Sequence, residues 1–184
     1  MTEHERPYSQ TGDEGETSLG NGVRVAKSSA RIRALGEVEE ANTTIGLARL
    51  EADAQIDALL AKVQADLFEL GVDLSMPITG EAAPTTRITP SQIGWVEAQI
   101  AGLAGELTPQ MGFVLPAGSP ASVRLYVARA VVRRAERAVV HLLEAPEEAV
   151  NRLVPAYLNR LSDLLFMLGR AANGMGGADI LHKP

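Results

Sequence analysis

Residues 119–144, SPASVRLYVARAVVRRAERAVVHLLE, decide how the chain folds. Ser119 followed by Pro120 is a helix start. The serine hydroxyl can accept a hydrogen bond from the first turn, and proline at the first helical position gives up an N–H that would have had no partner there. The helix is predicted to run to about Glu144. At 100° per residue, Tyr126, Arg129, Arg133, Glu136 and Arg137 fall within an arc of about 100°, while Arg134 points elsewhere.

Outward from this helix the same logic finds four more. Towards the amino terminus, Thr89-Pro90-Ser91 opens a helix whose Ile93, Val96, Ile100, Leu103 and Leu107 face inward. Before it, Ile56, Leu59, Leu60, Val63, Leu67, Leu70 and Leu74 recur at three-and-four spacing and predict a helix over Gln55–Leu74. A further helix spans about Ser28–Ala52, with Leu35, Val38, Ile45 and Leu47 on or near one stripe. Towards the carboxyl terminus, Pro146 is read as the start of a fifth helix reaching about Asn173. Residues 75–90, with three prolines, and residues 108–119 read as loops, and the short FVL at 113–115 is the strongest strand signal. Five helices with short connections point to an all-α, up-and-down bundle. The chain divides into a flexible, glycine-punctuated segment 1–27, a bundle 28–175 and a tail 176–184 that docks loosely or frays.

With 184 residues and 46% apolar composition the chain can bury a real core in one domain. There is no cysteine, so thiolate metal sites, disulfides and cysteine nucleophiles are excluded, and the three histidines are scattered. No metal site within the chain is expected. A net charge of −6 argues against a general nucleic-acid binder but leaves room for a local phosphate pocket. No apolar run approaches the ~20 residues of a membrane span. The polar, acidic beginning MTEHERPYSQTGDEG resembles neither a signal nor a transit peptide, so a cytoplasmic protein is expected.

The arginine stripe has two readings. It can be a solvated face with internal ion pairs, Glu136 reaching Arg133 or Arg129. It can also be a polyphosphate clamp, because forked guanidinium donors suit phosphate oxygens and three arginines outnumber the single glutamate. On the fifth helix, Asn159, Asp163, Phe166 and Arg170 share a face opposite Leu158, Leu161, Leu165 and Leu168, which by itself is a polar outer face. TGDEGET at 11–17 can cradle phosphate with successive backbone N–H groups, or be a surface turn.

Taken together, YSQTGDEGETSL, RVAKSSARIRALGEVEEANTTIG, DLFELGVDLS, FVLPAGSPASVRLYVARAVVRRAER and YLNRLSDLLFMLGRAAN resemble the PduO-type ATP:cob(I)alamin adenosyltransferases, in order and over nearly the whole chain. The resemblance implies a ferritin-like five-helix bundle that assembles as a homotrimer, with active sites between subunits. It implies transfer of the 5′-deoxyadenosyl group of ATP to cob(I)alamin, with ATP and cobalamin as substrates and magnesium on the triphosphate. Carried over by position, Ser9, Gln10, Thr11, Gly12, Thr17 and Lys27 would contact ATP, with Arg133, Arg134, Glu136, Arg137 and Asn159. Arg133 would be the principal triphosphate clamp. Arg129 would pair across the interface with Glu39, and Phe113 would help exclude the lower axial ligand of cobalamin. A reductase and an adenosylcobalamin-dependent enzyme are the implied partners, with no role for nucleic acid or membrane.

The chain departs from the family pattern at Gln10, where a basic residue is usual, and at Glu39, which is one methylene longer than aspartate. It also departs at Ala117 in place of glycine and Tyr126 in place of histidine. Two other functions fit the same residues: a homologue that binds ATP or cobalamin for delivery or regulation without transfer, and a bundle whose arginine stripe only joins subunits.

Overall fold

A computed structural model describes residues 8–78, 86–145 and 148–183. Its helices are α1 (Ala30–Arg49), α2 (Ala54–Ser75), α3 (Pro90–Glu106), α4 (Pro120–Leu143) and α5 (Leu153–Ala171). The five-helix bundle expected from periodicity is present. Helix α1 packs on α2 and α4, α4 on α5, and α3 on α5. Helix α1 runs antiparallel to α2 and α4: Arg49 at the end of α1 meets Asp57 at the start of α2, and Arg124 early in α4 donates to the Leu47 carbonyl late in α1. Helices α3 and α5 run parallel, Asn151 before α5 donating to the Ile88 carbonyl before α3. Among the described residues no helix is long and apolar enough to cross a membrane.

Caps fix most helix starts. Ser29, Asp53 and Ser119 each accept a backbone N–H from the first turn, and Thr89 forms a capping box with Gln92. Helix α1 therefore begins two residues after the predicted Ser28. Its buried stripe is also smaller than expected: Val38 and Ile45 are buried, but Leu47 is 51% exposed, and Ala34, Ala41 and Ala48 fill the seam. Alanines at seven-residue spacing also occur on α4, at 121, 128 and 135, all buried. Small side chains on both helices let their axes approach closely. The rest of the core is leucine and valine, with Leu60, Leu67, Leu70 and Leu74 of α2 and Leu158, Leu161, Leu165 and Leu168 of α5 all 1% exposed or less. Each stabilises the fold by roughly 1.5–3 kcal/mol relative to exposure.

Three expectations are corrected. Part of the amino-terminal segment is a hairpin rather than irregular chain: β1 (Glu16–Ser18) pairs antiparallel with β2 (Arg24–Ala26), Thr17 opposite Val25. The fifth helix begins at Leu153. The predicted start at Pro146 lies outside the described residues, but residues 148–152 are not helical. Asn151 sets the true start, its Oδ1 accepting the Leu153 N–H while its Nδ2 donates to Asp73. The tail does not dock loosely. Leu181 bridges to Val114 in the FVL segment, and a buried ion pair joins Arg170 to Asp179. Arg170, expected on a polar outer face, is therefore only 5% exposed.

Buried charge ties the end of the bundle where α2 ends. The Arg31 guanidinium, 2% exposed, donates to the Leu74 carbonyl, to Glu148 and to the Ala149 carbonyl. Asp73, 1% exposed, accepts from Arg87, from the Ile88 N–H and from Asn151. Each carboxylate and guanidinium finds several partners, which is the condition under which buried charge is tolerated.

Candidate active site

Helix α4 presents Arg133, Glu136, Arg137, Val140, His141 and Glu144 at three-and-four spacing. With Asn159 of α5 they line a cleft of about 350 Å³. The internal ion pairs that a solvated face would need do not form: Arg133, Glu136 and Arg137 make no salt bridge among the described residues. Arg137 donates instead to the Arg133 carbonyl at 3.1 Å, which holds its stem along the helix. Two guanidinium groups therefore face the cleft without a neutralising carboxylate bonded to either. Asn159 accepts from Arg160 at 2.9 Å through Oδ1, leaving its amide N–H₂ as a further donor.

Arg134 is placed differently from its neighbour. Its Nε donates to Glu37 of α1 at 2.5 Å, and Nη2 pairs with Glu40. Hydrogen bonds to Glu40 and Glu37 hold the guanidinium above its usual pKa. The structure therefore brings Arg133, Glu136, Arg137 and Asn159 together and sets Arg134 on the α1–α4 seam.

The hairpin gathers the amino-terminal candidates into a second unit. Ser9 and Thr11 hydroxyls lie 2.9 Å apart, the Arg24 guanidinium donates to the Thr11 carbonyl at 2.7 Å, and the Lys27 N–H donates to the Gly15 carbonyl at 2.8 Å. Gln10 has φ 60° and Gly15 φ 88°, both in the left-handed region, so the loop curls back on itself. The exposed Lys27 side chain lies over Gly12. Thr17 sits in β1 opposite Val25. No hydrogen bond or ion pair among the described residues joins residues 11–27 to the α4–α5 cleft.

Arg129 and Glu39 do not meet within the chain. Arg129 has a buried Nε without a hydrogen-bond partner among the described residues, and its guanidinium carbon lies 5.4 Å from the centre of the Phe166 ring. Glu39 is exposed on α1, at the rim of an apolar groove of about 320 Å³ lined by Leu35, Val38, Leu67, Phe68 and Val72. Phe113 is 81% exposed on the loop before α4.

Sequence reasoning missed two features here. Phe68, 71% exposed, breaks the polar face of α2 and was readable in DLFEL as an aromatic off the leucine stripe. Tyr126 is buried against Phe166 and Gly169, where a Cβ on Gly169 would come within 2.9 Å of the Tyr126 ring. Burial by its neighbours, with the Asp179 charge adding to it, raises the Tyr126 pKa above the usual phenol value. Ala117 needs no glycine freedom, because Gly118 takes the left-handed φ of 123°.

Residues 7–172 match the family model described as cobalamin adenosyltransferase. The chain is 47% identical to a corrinoid adenosyltransferase of Mycobacterium tuberculosis strain H37Rv, over 97% of this chain and 93% of that protein. Its fold superposes with TM-score 0.88, at 30% identity, on a phenylalanine-to-alanine variant of a PduO-type ATP:corrinoid adenosyltransferase from Lactobacillus reuteri complexed with cobalamin and ATP. That match covers 97% of this chain and 100% of the other. An arginine-to-lysine variant from the same organism, complexed with ATP, matches with TM-score 0.87 at 31% identity, covering 97% of this chain and 100% of the other.

Proposed function

The chain belongs to the cobalamin adenosyltransferase family, and from that premise we propose how its residues carry the reaction. It is an ATP:corrinoid adenosyltransferase that moves the 5′-deoxyadenosyl group of ATP onto cob(I)alamin. The electron pair on Co(I) attacks the 5′ carbon, the cobalt–carbon bond forms, the C5′–O bond breaks, and triphosphate leaves. No proton needs to move at the reacting carbon. The protein must align the two substrates and stabilise charge on the departing phosphates.

The observation that carries the residue assignment is the α4–α5 cleft, where Arg133 and Arg137 stand beside Glu136 and Asn159 without ion-pair partners among the described residues. Arg133 and Arg137 hold the triphosphate, and Asn159 adds amide donors. Ser9, Gln10, Thr11, Gly12, Thr17 and Lys27 close over the nucleotide, Lys27 reaching the phosphates. Arg134, engaged by Glu37 and Glu40, orients α4 against α1 rather than binding ATP.

Magnesium fits this arrangement as an ion carried by the nucleotide. No group of three or more His, Asp or Glu that could hold a metal occurs among the described residues. Magnesium at phosphates keeps most of its waters and takes few protein ligands. Glu136 lines the same cleft and is the carboxylate for it; bound there, the ion would neutralise part of the leaving group's charge.

The separation of hairpin from cleft supports a site completed by a neighbouring copy in a homotrimer. The buried Arg129 Nε, unpartnered among the described residues, and the exposed Glu39 suit an ion pair between copies. Phe113 occupies the lower face of the corrinoid. A cytoplasmic reductase supplies Co(I), and an adenosylcobalamin-dependent enzyme takes the product.

Calorimetry of ATP binding with and without magnesium, followed by an adenosylation assay reading the loss of the cob(I)alamin absorption band, tests the assignment. ATP binding and turnover that both disappear in Arg133→Ala support it. Tight ATP or cobalamin binding without turnover in the parent protein would favour a delivery role instead. Sedimentation velocity tests the trimer.

A further inference from the structure

The tail is joined to the loop that carries Phe113 at two levels. At the first, Arg170 turns out of the last turn of α5. Its Nε donates to Asp179 Oδ2 and its Nη2 to the Thr108 carbonyl, both at 2.6 Å. The two side chains of this pair are 6% and 5% exposed. The chain between them reverses through Gly174, Met175 and Gly176, all at positive φ, and the Thr108 N–H donates to the Met175 carbonyl at 2.9 Å. Gly176 cannot be enlarged, since a Cβ there would lie 2.7 Å from Arg170 Nη2.

At the second level the backbones pair. The Leu115 N–H donates to the Ile180 carbonyl and the His182 N–H to the Phe113 carbonyl, both at 2.8 Å, around the Val114–Leu181 bridge. Arg170 thus grips Thr108, five residues before Phe113, and Asp179, just before the bridge. Phe113 itself is 81% exposed and belongs to no helix, so this pairing is what fixes its backbone.

A buried ion pair is weak evidence for stability, because desolvation offsets its attraction, and its best-attested use is to set a geometry. We propose that the Arg170–Asp179 pair, acting through the tail strand, holds Phe113 in place against the corrinoid, which makes Arg170, Asp179 and the His182 N–H positioning elements of the transfer reaction. This rests on the reading that Phe113 meets the corrinoid.

The test compares His182→Pro, His182→Ala, Asp179→Asn and Phe113→Ala in the full chain. Proline removes one donor from an exposed position outside every helix, so folding of the bundle is not at stake; alanine retains that donor. Two readouts are taken: the corrinoid and ATP KM values, and the paramagnetic resonance spectrum of bound cob(II)alamin with ATP. The nitrogen splitting in that spectrum reports the lower axial ligand. His182→Pro is expected to raise the corrinoid KM about threefold to tenfold, the effect of one lost backbone hydrogen bond. It should leave the ATP KM unchanged and restore part of the nitrogen splitting. Asp179→Asn is expected to move the same readouts, and His182→Ala neither. If Phe113→Ala changes both readouts while His182→Pro and Asp179→Asn change neither, or if they weaken ATP and corrinoid equally, the clamp is overturned. If Phe113→Ala changes neither readout, the corrinoid reading of Phe113 fails first.

Discussion

Lys27 Nζ lies 3.1 Å from the point a methyl group on Gly12 would occupy, and the Glu16 carbonyl oxygen is equally near. The lysine tip can swing aside, but the carbonyl belongs to the hairpin and moves only with it. Gly12→Ala is therefore expected to displace Lys27 and weaken ATP binding about tenfold, close to 1.4 kcal/mol. Titration calorimetry measures this directly, and an unchanged affinity would remove Gly12 and Lys27 from the nucleotide site.

Adjacent arginines on α4 should behave oppositely. Arg133 has no ion partner among the described residues, so Arg133→Ala should leave the melting temperature alone and lower kcat/KM by about 10²–10³, as losing a charge-stabilising donor does. Arg134 bridges α4 to Glu37 and Glu40. Arg134→Ala should lower the melting temperature slightly and leave ATP affinity near that of the parent. Equal loss of ATP binding in both variants contradicts the assignment.

Tyr126 is 7% exposed, and its hydroxyl faces that of Ser122 without a hydrogen bond of normal geometry to any described residue. Removing a buried hydroxyl that bonds nothing also removes its desolvation cost. Tyr126→Phe is expected to hold or raise the melting temperature. A destabilisation beyond about 1 kcal/mol would mean that the hydroxyl has a partner after all.

Tyr157 gives the alkaline signature. Burial, then the charge and hydrogen bond of Asp66, push its pKa well above the usual 10.0. The folded state keeps the phenol proton that the unfolded state gives up, so this contribution is full below pH 10 and is lost as pH rises through the folded value. Thermal melts from pH 9 to 11 should show a decline that is shallower in Tyr157→Phe. Identical slopes would argue that Tyr157 does not titrate with folding.

Much of the bundle was legible because its helices carry local signals. Ser119-Pro120 and Thr89-Pro90 mark caps, and the leucines of α2 keep a strict stripe, so α2, α3 and α4 lie within a residue or two of their predicted bounds. The start of α5 was not legible, because Asn151 is fixed by Asp73, a residue 78 positions away. The hairpin did leave a trace: Asn21-Gly22 between ETS and RVA is a turn dipeptide, but three-residue strands offer no alternation to confirm it. The cleft residues Arg133, Glu136 and Arg137 were readable from helical spacing alone. Asn159 required the resemblance, since nothing in its own helix singles it out. The Arg170–Asp179 pair was invisible, because only the glycine reversal between them makes their meeting possible.

Helix α1 lies between α2, which follows it at once, and α4, which begins 71 positions after α1 ends. Its links to the later part of the chain span 97 residues to Arg134 and 117 to Glu148. During synthesis the α1–α2 hairpin can pair as soon as it leaves the ribosome, but the alanine seam meant for α4 has to wait until residue 143 has emerged. At about 5–20 residues per second, that leaves an apolar helix face uncovered for several seconds. Polar substitutions along Ala34, Ala41 and Ala48 would ease that interval only by spoiling the seam that α4 later fills.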